Sequence, residues 1–265
     1  MSSGKPISEE SPILLPLPWD SEFFRSRLGR IQAAPRAKME KALAAARQEG
    51  YSCLYFNAAA GWDEGLRWAA RAGFFPVGLR VSLAAPAGPT PEDPERPVGE
   101  DRSPEGEKAL IRWAVEELSP FSRYARDPLF GEAEARRLYR HWAAATLDGQ
   151  RAQVVLFADA PGEKPAGFLS LRTAGGEISI DLVAVSPSCR GRGWGRALLR
   201  AALGRAAEGG YPSLRVATQG NNTAALAAYG AAGFKIETIE HCFHIHLNEE
   251  KAKPERKTLA EAEEL

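Results

Sequence analysis

The stretch Ile178-Ser179-Ile180-Asp181-Leu182-Val183-Ala184-Val185-Ser186-Pro187-Ser188-Cys189-Arg190-Gly191-Arg192-Gly193-Trp194-Gly195-Arg196-Ala197-Leu198-Leu199 changes character twice. Its first part predicts a strand ending at Val185, its middle an Arg/Gly loop, and its last part a helix from Trp194 to Glu208. Glycines let a backbone approach a ligand closely, and the first amides of a helix have no partner inside it. Together they form a cradle for phosphate, to which Arg190, Arg192 and Arg196 add positive charge. A surface turn has a similar composition, so the loop needs corroboration from its surroundings.

Spacing narrows the ligand. A dinucleotide fingerprint requires G-x-G-x-x-G, but the sixth position counted from Gly191 is Arg196; a Walker loop, GxxxxGK[ST], is absent. The pattern present is R-x-x-G-x-G, Arg190 to Gly195. Downstream, Leu214–Thr218 reads as a strand and Thr223–Ala232 as a helix that Asn222 or Thr223 caps. Tyr229 follows Asn222 by seven positions, and Gly233-Phe234 closes the segment.

Upstream, Gln153–Ala158, Gly167–Thr173 and Glu177–Val185 read as three strands joined by short, turn-rich connections, which makes an antiparallel meander. Helices are predicted over Glu107–Leu118 and Glu132–Thr146, and a final strand over Ile236–His246. This is an α/β (α+β) chain with a mixed sheet covered by helices. The first part predicts a smaller αβαβ unit: a helix opened at Pro35 and closed at Gly50, a strand Ser52–Phe56, a helix Asp63–Ala72 and a strand Pro76–Leu83.

Between these parts the composition shifts to Pro-rich. The boundaries read as a small α/β domain over 12–85, a linker over 86–104, the larger domain over 105–248 and a charged tail over 249–265. No internal repeat is evident. The chain has 265 residues, with Lys+Arg 34 balancing Asp+Glu 34. Net charge +0 argues against nucleic acid as a partner. No apolar run reaches the roughly 20 residues of a membrane span, and no signal peptide is recognisable. The three cysteines, Cys53, Cys189 and Cys242, form no CxxC pair, which fits unpaired thiols in a cytoplasmic protein. His241, Cys242, His244 and His246 lack the spacing of a closed zinc site, so a half-buried strand rather than a metal is expected. Cys189 reads as a packing residue, and Tyr139 and Trp142 as helix packing.

The order strand, R-x-x-G-x-G, helix, strand, Asn-x6-Tyr-x3-Gly-Phe resembles the GNAT superfamily of N-acetyltransferases, over roughly residues 105–246. The resemblance implies the acyl-CoA N-acyltransferase fold and acetyl-CoA as co-substrate, with no metal. It also implies roles residue by residue. The backbone of Val183, Ala184 and Val185 binds the pantetheine arm and faces the thioester. Arg190, Gly191, Arg192, Gly193, Trp194, Gly195 and Arg196 hold the pyrophosphate. Asn222 binds near the pantetheine, and Tyr229 protonates the departing thiolate. Such an enzyme needs no covalent nucleophile, only donors for the oxyanion and a proton donor. Asp181 is the candidate base, or else a strand acid paired with an arginine. Tyr229 has a bland reading too, as a core tyrosine of its helix.

A narrower set of strings resembles the nucleotide-sugar N-acetyltransferases that act on dTDP-fucosamine and related amino sugars. These are Trp19–Phe24, Ser122-Arg123-Tyr124 before Asp127-Pro128, Leu138–Trp142, and Leu214–Gln219 with Asn222–Leu226. That family also places a small α/β domain first. The resemblance implies the amine of a nucleotide-linked amino sugar as acceptor, with Ser122, Arg123 and Tyr124 binding it; a protein N-terminus or another small amine is the alternative. The bland reading of that trio is a solvated loop. This chain departs in its longer Pro-rich stretch, its tail and Asp181. A catalytically silent coenzyme A-binding module is the alternative of another class, and a homodimer is compatible with the sequence.

Overall fold

Apolar residues at period two and period 3.6 alternate along the chain, and in the structure, a computed structural model, they become ten strands and seven α-helices among the described residues. Those residues are 12–90, 93–100 and 102–247; the charged tail expected over 249–265 lies outside them. The chain divides into two compact units, Met1–Val77 with Asp127–Leu129 and Glu240–Leu265, and Gly78–Arg126 with Phe130–Ile239. This division differs from the 12–85 and 105–248 boundaries suggested by composition. Pairing partners far along the sequence, not local composition, decide which strands cluster.

In the first unit β1 (Leu14–Pro16) runs antiparallel to β2 (Leu28–Ile31), which runs parallel to β3 (Cys53–Ala59). The last residues of β10 (Lys235–His246) pair antiparallel with β3, Glu240 against Ala59 through His246 against Cys53. The aromatic opening forms α1 (Pro18–Phe23), where Trp19 stacks on Phe23. Helix α2 (Arg36–Gln48) buries Met39, Leu43 and Ala46, and α3 (Asp63–Arg71) buries Trp68 and Ala69. These meet Leu54, Phe56, Phe74, Phe243 and Ile245 in one core.

In the second unit the sheet order is β4 (Phe75–Pro86), β9 (Ser213–Gln219), β8 (Glu177–Val185), β7 (Glu163–Ala174), β6 (Val154–Ala160), β5 (Val98–Gly99). All its pairings are antiparallel except β8 with β9. Helices α4 (Pro104–Trp113) and α5 (Gly131–Leu147) pack on one face, where Leu110, Trp113 and Ala143 meet Phe168, Leu182 and Ala184. Helices α6 (Trp194–Glu208) and α7 (Thr223–Ala231) bring Trp194, Leu198, Leu203 and Tyr229 to the core on the other. Among the described residues no helix is long and apolar enough to cross a membrane.

The expectation of no internal repeat is corrected by the structure. Strand β3, helix α3 and strand β4 begin and end 160 residues before β9, α7 and β10 at every boundary. Only a few aligned residues agree, among them Tyr51 and Tyr211, Leu54 and Leu214, and Gly73-Phe74 and Gly233-Phe234. Element lengths and turn positions survive such divergence, whereas identity does not, so the repeat is visible in the backbone alone.

The Pro-rich segment is also not bare linker. Within the second unit, the Ala87 amide bonds the Pro212 carbonyl, Thr90 Oγ1 bonds the Arg200 carbonyl at 2.8 Å, and Val98–Gly99 pairs with β6 as β5. Proline removes amide donors but leaves carbonyls and side chains able to anchor the chain.

Candidate active site

Strand β8 pairs with β9 only over Ile178–Ile180 against Leu214–Val216. At that point a bulge interrupts its ladder with β7: Ser170 faces Leu182, but Leu171 faces Ile180, so Asp181 is the extra residue. A one-residue slip exchanges the faces of a strand. Accordingly Ile178 and Ile180 pack in the α6/α7 core, whereas Leu182 and Ala184 pack under α4 and α5, with Val183 and Val185 now on the α6 side. The Ser170 hydroxyl accepts the Leu182 amide at 3.1 Å, replacing a backbone partner at the bulge. The Ser186 amide likewise bonds Ala166 of β7. Amides alternate sides along a strand, so those of Val183 and Val185 point away from β7, towards the side where the pairing with β9 has ended.

The loop after β8 begins with a 3-10 turn, Pro187–Cys189, and Cys189 is buried in the core as a packing residue. Gly191 and Gly193 take φ of 73° and 87°, the left-handed region, and Gly193 is the N-cap of α6. The first intrahelical bond runs from Ala197 to the Gly193 carbonyl. Helix geometry therefore leaves the amides of Trp194, Gly195 and Arg196 without intrahelical acceptors. The Trp194 side chain is buried in the core, so this residue offers the loop its amide. Arg192 and Arg196 are exposed, while Arg190 bonds the Glu117 carboxylate and the Val185 carbonyl. The sequence reading missed Glu117, which stands on the π-helical turn Ala114–Leu118.

Asn222 caps α7, its Oδ1 accepting the Ala225 amide at 3.2 Å. One helical stretch later Tyr229 is buried against Phe234, ring centres 5.6 Å apart. Burial raises the pKa of its phenol above the ordinary value, so it keeps its proton. A retained phenol proton suits a donor to a leaving thiolate.

Around Asp181 lies a second group. Arg151 donates to both carboxylate oxygens, at 2.6 and 2.9 Å, and its guanidinium stacks 4.3 Å over the Trp142 ring. Tyr139 is 5.0 Å from Trp142, ring centre to ring centre. Its phenol is raised chiefly by burial and then by Tyr124, with Arg151 and Arg123 opposing, which places these groups within electrostatic reach of one another. Arg123 bonds the Tyr124 hydroxyl at 2.9 Å. Ser122 is buried and its hydroxyl accepts the Ala125 amide, shaping the turn that carries its neighbours. Arg151 was missed because it follows a helix in a turn, where no periodicity points to a partner.

His244 and His246 of β10 both bond Asp127, His246 at 2.8 Å, inside the first unit. Cys53, Asp127 and His246 bring ligand atoms within 4.8 Å of one another. Two imidazoles on one carboxylate make a closed polar clamp in the core. Burial opposes the charge on Asp127, but the two histidine hydrogen bonds outweigh it and hold the carboxyl well below its usual range. A separate groove of the first unit, between α2 and α3, is lined by Arg36, Arg47, Arg67 and Arg71 and contains none of the expected site residues.

A mixed sheet that parts after a bulge, facing a glycine loop at a helix start, defines an acetyltransferase domain of GNAT type, and residues 109–234 match the acetyltransferase (GNAT) family. Residues 109–234 are accordingly the part of the chain that carries this likeness. It is 29% identical to dTDP-fucosamine acetyltransferase of Escherichia coli over 85% of this chain and 95% of that one. It is 36% identical to mycothiol acetyltransferase of Clavibacter sepedonicus over 34% of this chain, which spans only 29% of that protein's length. The solved GCN5-related N-acetyltransferase from Sphaerobacter thermophilus shares the fold, with TM-score 0.58 and 17% identity over 83% of this chain and 73% of that one.

Proposed function

We propose that the protein moves the acetyl group of acetyl-CoA to the amine of a nucleotide-linked amino sugar, by direct attack within a ternary complex. The observation that carries the acceptor is the likeness to dTDP-fucosamine acetyltransferase along nearly the whole of both chains, first unit included. The grouping of Arg123, Tyr124, Tyr139, Trp142 and Arg151 supports it, because guanidinium groups and aromatic faces suit a diphosphate and a base.

In this reading the loop from Arg190 to Arg196 holds the coenzyme pyrophosphate, and the amides of Val183 and Val185 line the pantetheine arm and the thioester oxygen. The acceptor amine attacks the thioester carbon, the carbonyl oxygen takes the negative charge, and coenzyme A leaves with a proton from Tyr229. Asp181 takes the ammonium proton, directly or through water. Arg151 occupies about two of the roughly four lone-pair sites of that carboxylate, leaving the others to accept. Asn222, by capping α7, sets the helix that carries Tyr229.

The match to mycothiol acetyltransferase favours a second reading, a small amine that is not a nucleotide sugar. The experiment is thiol release from acetyl-CoA with dTDP- and UDP-linked amino sugars beside small amines, polyamines and peptides. Turnover of the nucleotide sugars alone supports the first reading. Turnover of other amines alone replaces the substrate class, and the absence of thiol release with every one of them returns the chain to a silent coenzyme A-binding module.

A further inference from the structure

Arg96, in the Pro-rich segment ahead of the acetyltransferase domain, reaches the glycine loop. Its Nε donates to the Arg192 carbonyl at 2.9 Å, across 96 residues of sequence. Its Nη1 bonds Asp93 at 3.1 Å, and the Asp93 carbonyl and carboxylate receive the Arg96 and Glu95 amides, closing a tight turn. Thr90 on one side, bonded to the Arg200 carbonyl of α6, and β5 on the other, paired with β6, anchor this turn to the second unit. The side chain is two-thirds covered, at 32% exposure.

The bond matters because of what lies beside it. In a trans peptide the carbonyl and the following amide point in opposite directions. Holding the Arg192 carbonyl on Arg96 therefore directs the Gly193 amide the other way. Gly193 has φ of 87° and no side chain, so nothing of its own prevents that peptide from flipping. A flip would present a carbonyl oxygen where the loop otherwise offers an amide, and an anion would meet repulsion in place of a donor.

We propose that Arg96 is a positioning residue of the coenzyme site: it locks the Arg192–Gly193 peptide so that the loop presents amides to the pyrophosphate. The Pro-rich segment is then part of the acetyl-CoA site and not a spacer. This rests on the reading of the loop as the pyrophosphate holder. Arg96 acts through the loop and contacts no reacting atom.

The test is Arg96→Ala and Arg96→Lys in the full chain, with acetyl-CoA and with S-acetyl-pantetheine, which lacks the pyrophosphate. Losing a hydrogen bond from a charged donor should raise KM for acetyl-CoA by about tenfold or more in the alanine variant. KM for S-acetyl-pantetheine should move less than about twofold on the same argument, and lysine should recover part of the loss because it can still donate to the carbonyl. An unchanged KM for acetyl-CoA, or equal losses with both thioesters, overturns the inference alone. If the unaltered protein does not bind acetyl-CoA by calorimetry, the reading of the loop falls as well.

Discussion

Arg151 and Asp181 meet through two hydrogen bonds, 2.6 and 2.9 Å long, at the point where β8 bulges out of its ladder with β7. The bulge frees Asp181 from the alternation of the strand, and Arg151 then fixes where its carboxylate lies. Asp181→Asn keeps the shape and one acceptor oxygen but removes the charge. We expect acetyl transfer to fall about a hundredfold, the usual worth of a positioned base, with acetyl-CoA affinity unchanged. Steady-state kinetics beside calorimetry checks this. A variant that only melts earlier, with turnover intact, would leave Asp181 a structural acid.

Tyr229→Phe removes the phenol oxygen and preserves the ring packed on Phe234. A proton donor acts in the transition state, so turnover should drop by about a hundredfold or more while binding of acetyl-CoA barely changes. Because burial raises this pKa above the ordinary phenol value of about 10, wild-type activity should show no alkaline loss from Tyr229 below that pH. A pH–rate profile with an alkaline limb near neutrality that disappears in the phenylalanine variant would contradict the assignment.

The two loop glycines should separate under substitution. A Cβ on Gly193 would lie 2.9 Å from Arg96 Nε and sit at φ of 87°, whereas one on Gly195 would meet Val185 Cγ2 at an ordinary 3.6 Å. Gly193→Ala should therefore cost about 1 kcal/mol of stability as well as coenzyme affinity. Gly195→Leu should weaken acetyl-CoA binding with little change in melting temperature. Thermal unfolding and calorimetry on both variants decide it; unchanged affinity in both removes the loop from the coenzyme site.

Asp127, held by His244 and His246, makes the first unit sensitive to acid. Its folded pKa lies below the unfolded value of about 3.9, so its contribution is fully present above that pH and is lost as pH falls from there towards the folded value. Asp127→Ala should cost about 3 kcal/mol near neutrality, because two buried imidazoles lose their partner. Denaturant titrations at neutral and acid pH should show the difference between wild type and variant shrinking below pH of about 4. A difference independent of pH would show that the clamp does not work through its charge.

The repeat predicts one coenzyme per chain. Where the second copy has Asn222 and Tyr229, the first has Trp62 and Ala69, and Gln32–Pro35 stands between β2 and α2 in place of the longer glycine loop before α6. The ring of Trp62 fills the space over Gly65, where a Cβ would come within 2.1 Å of it. Calorimetric titration with acetyl-CoA should give a stoichiometry of about one site per chain, the number of intact cradles. Two sites of similar affinity would refute it.

Sequence alone determined what depends on neighbours within about one turn or one strand. Trp194–Glu208 as a helix and Glu177–Val185 as a strand have the same bounds in the prediction and in the structure, because periodicity and glycine punctuation act locally. The run from Arg190 to Gly195, with Asn222 and Tyr229 beyond it, carries the family pattern because backbone approach at a loop admits few residue types. Tertiary structure decided the rest. The bulge at Asp181 depends on which β7 residue lies opposite, and the Arg151 contact on a chain brought back from 30 positions away. The Pro-rich segment reads as a spacer because it has no apolar period. It is anchored instead by single polar bonds from Thr90 and Arg96 to carbonyls about a hundred residues on. Such bonds leave no pattern in sequence, since any carbonyl can accept them; only the folded chain determines which one does.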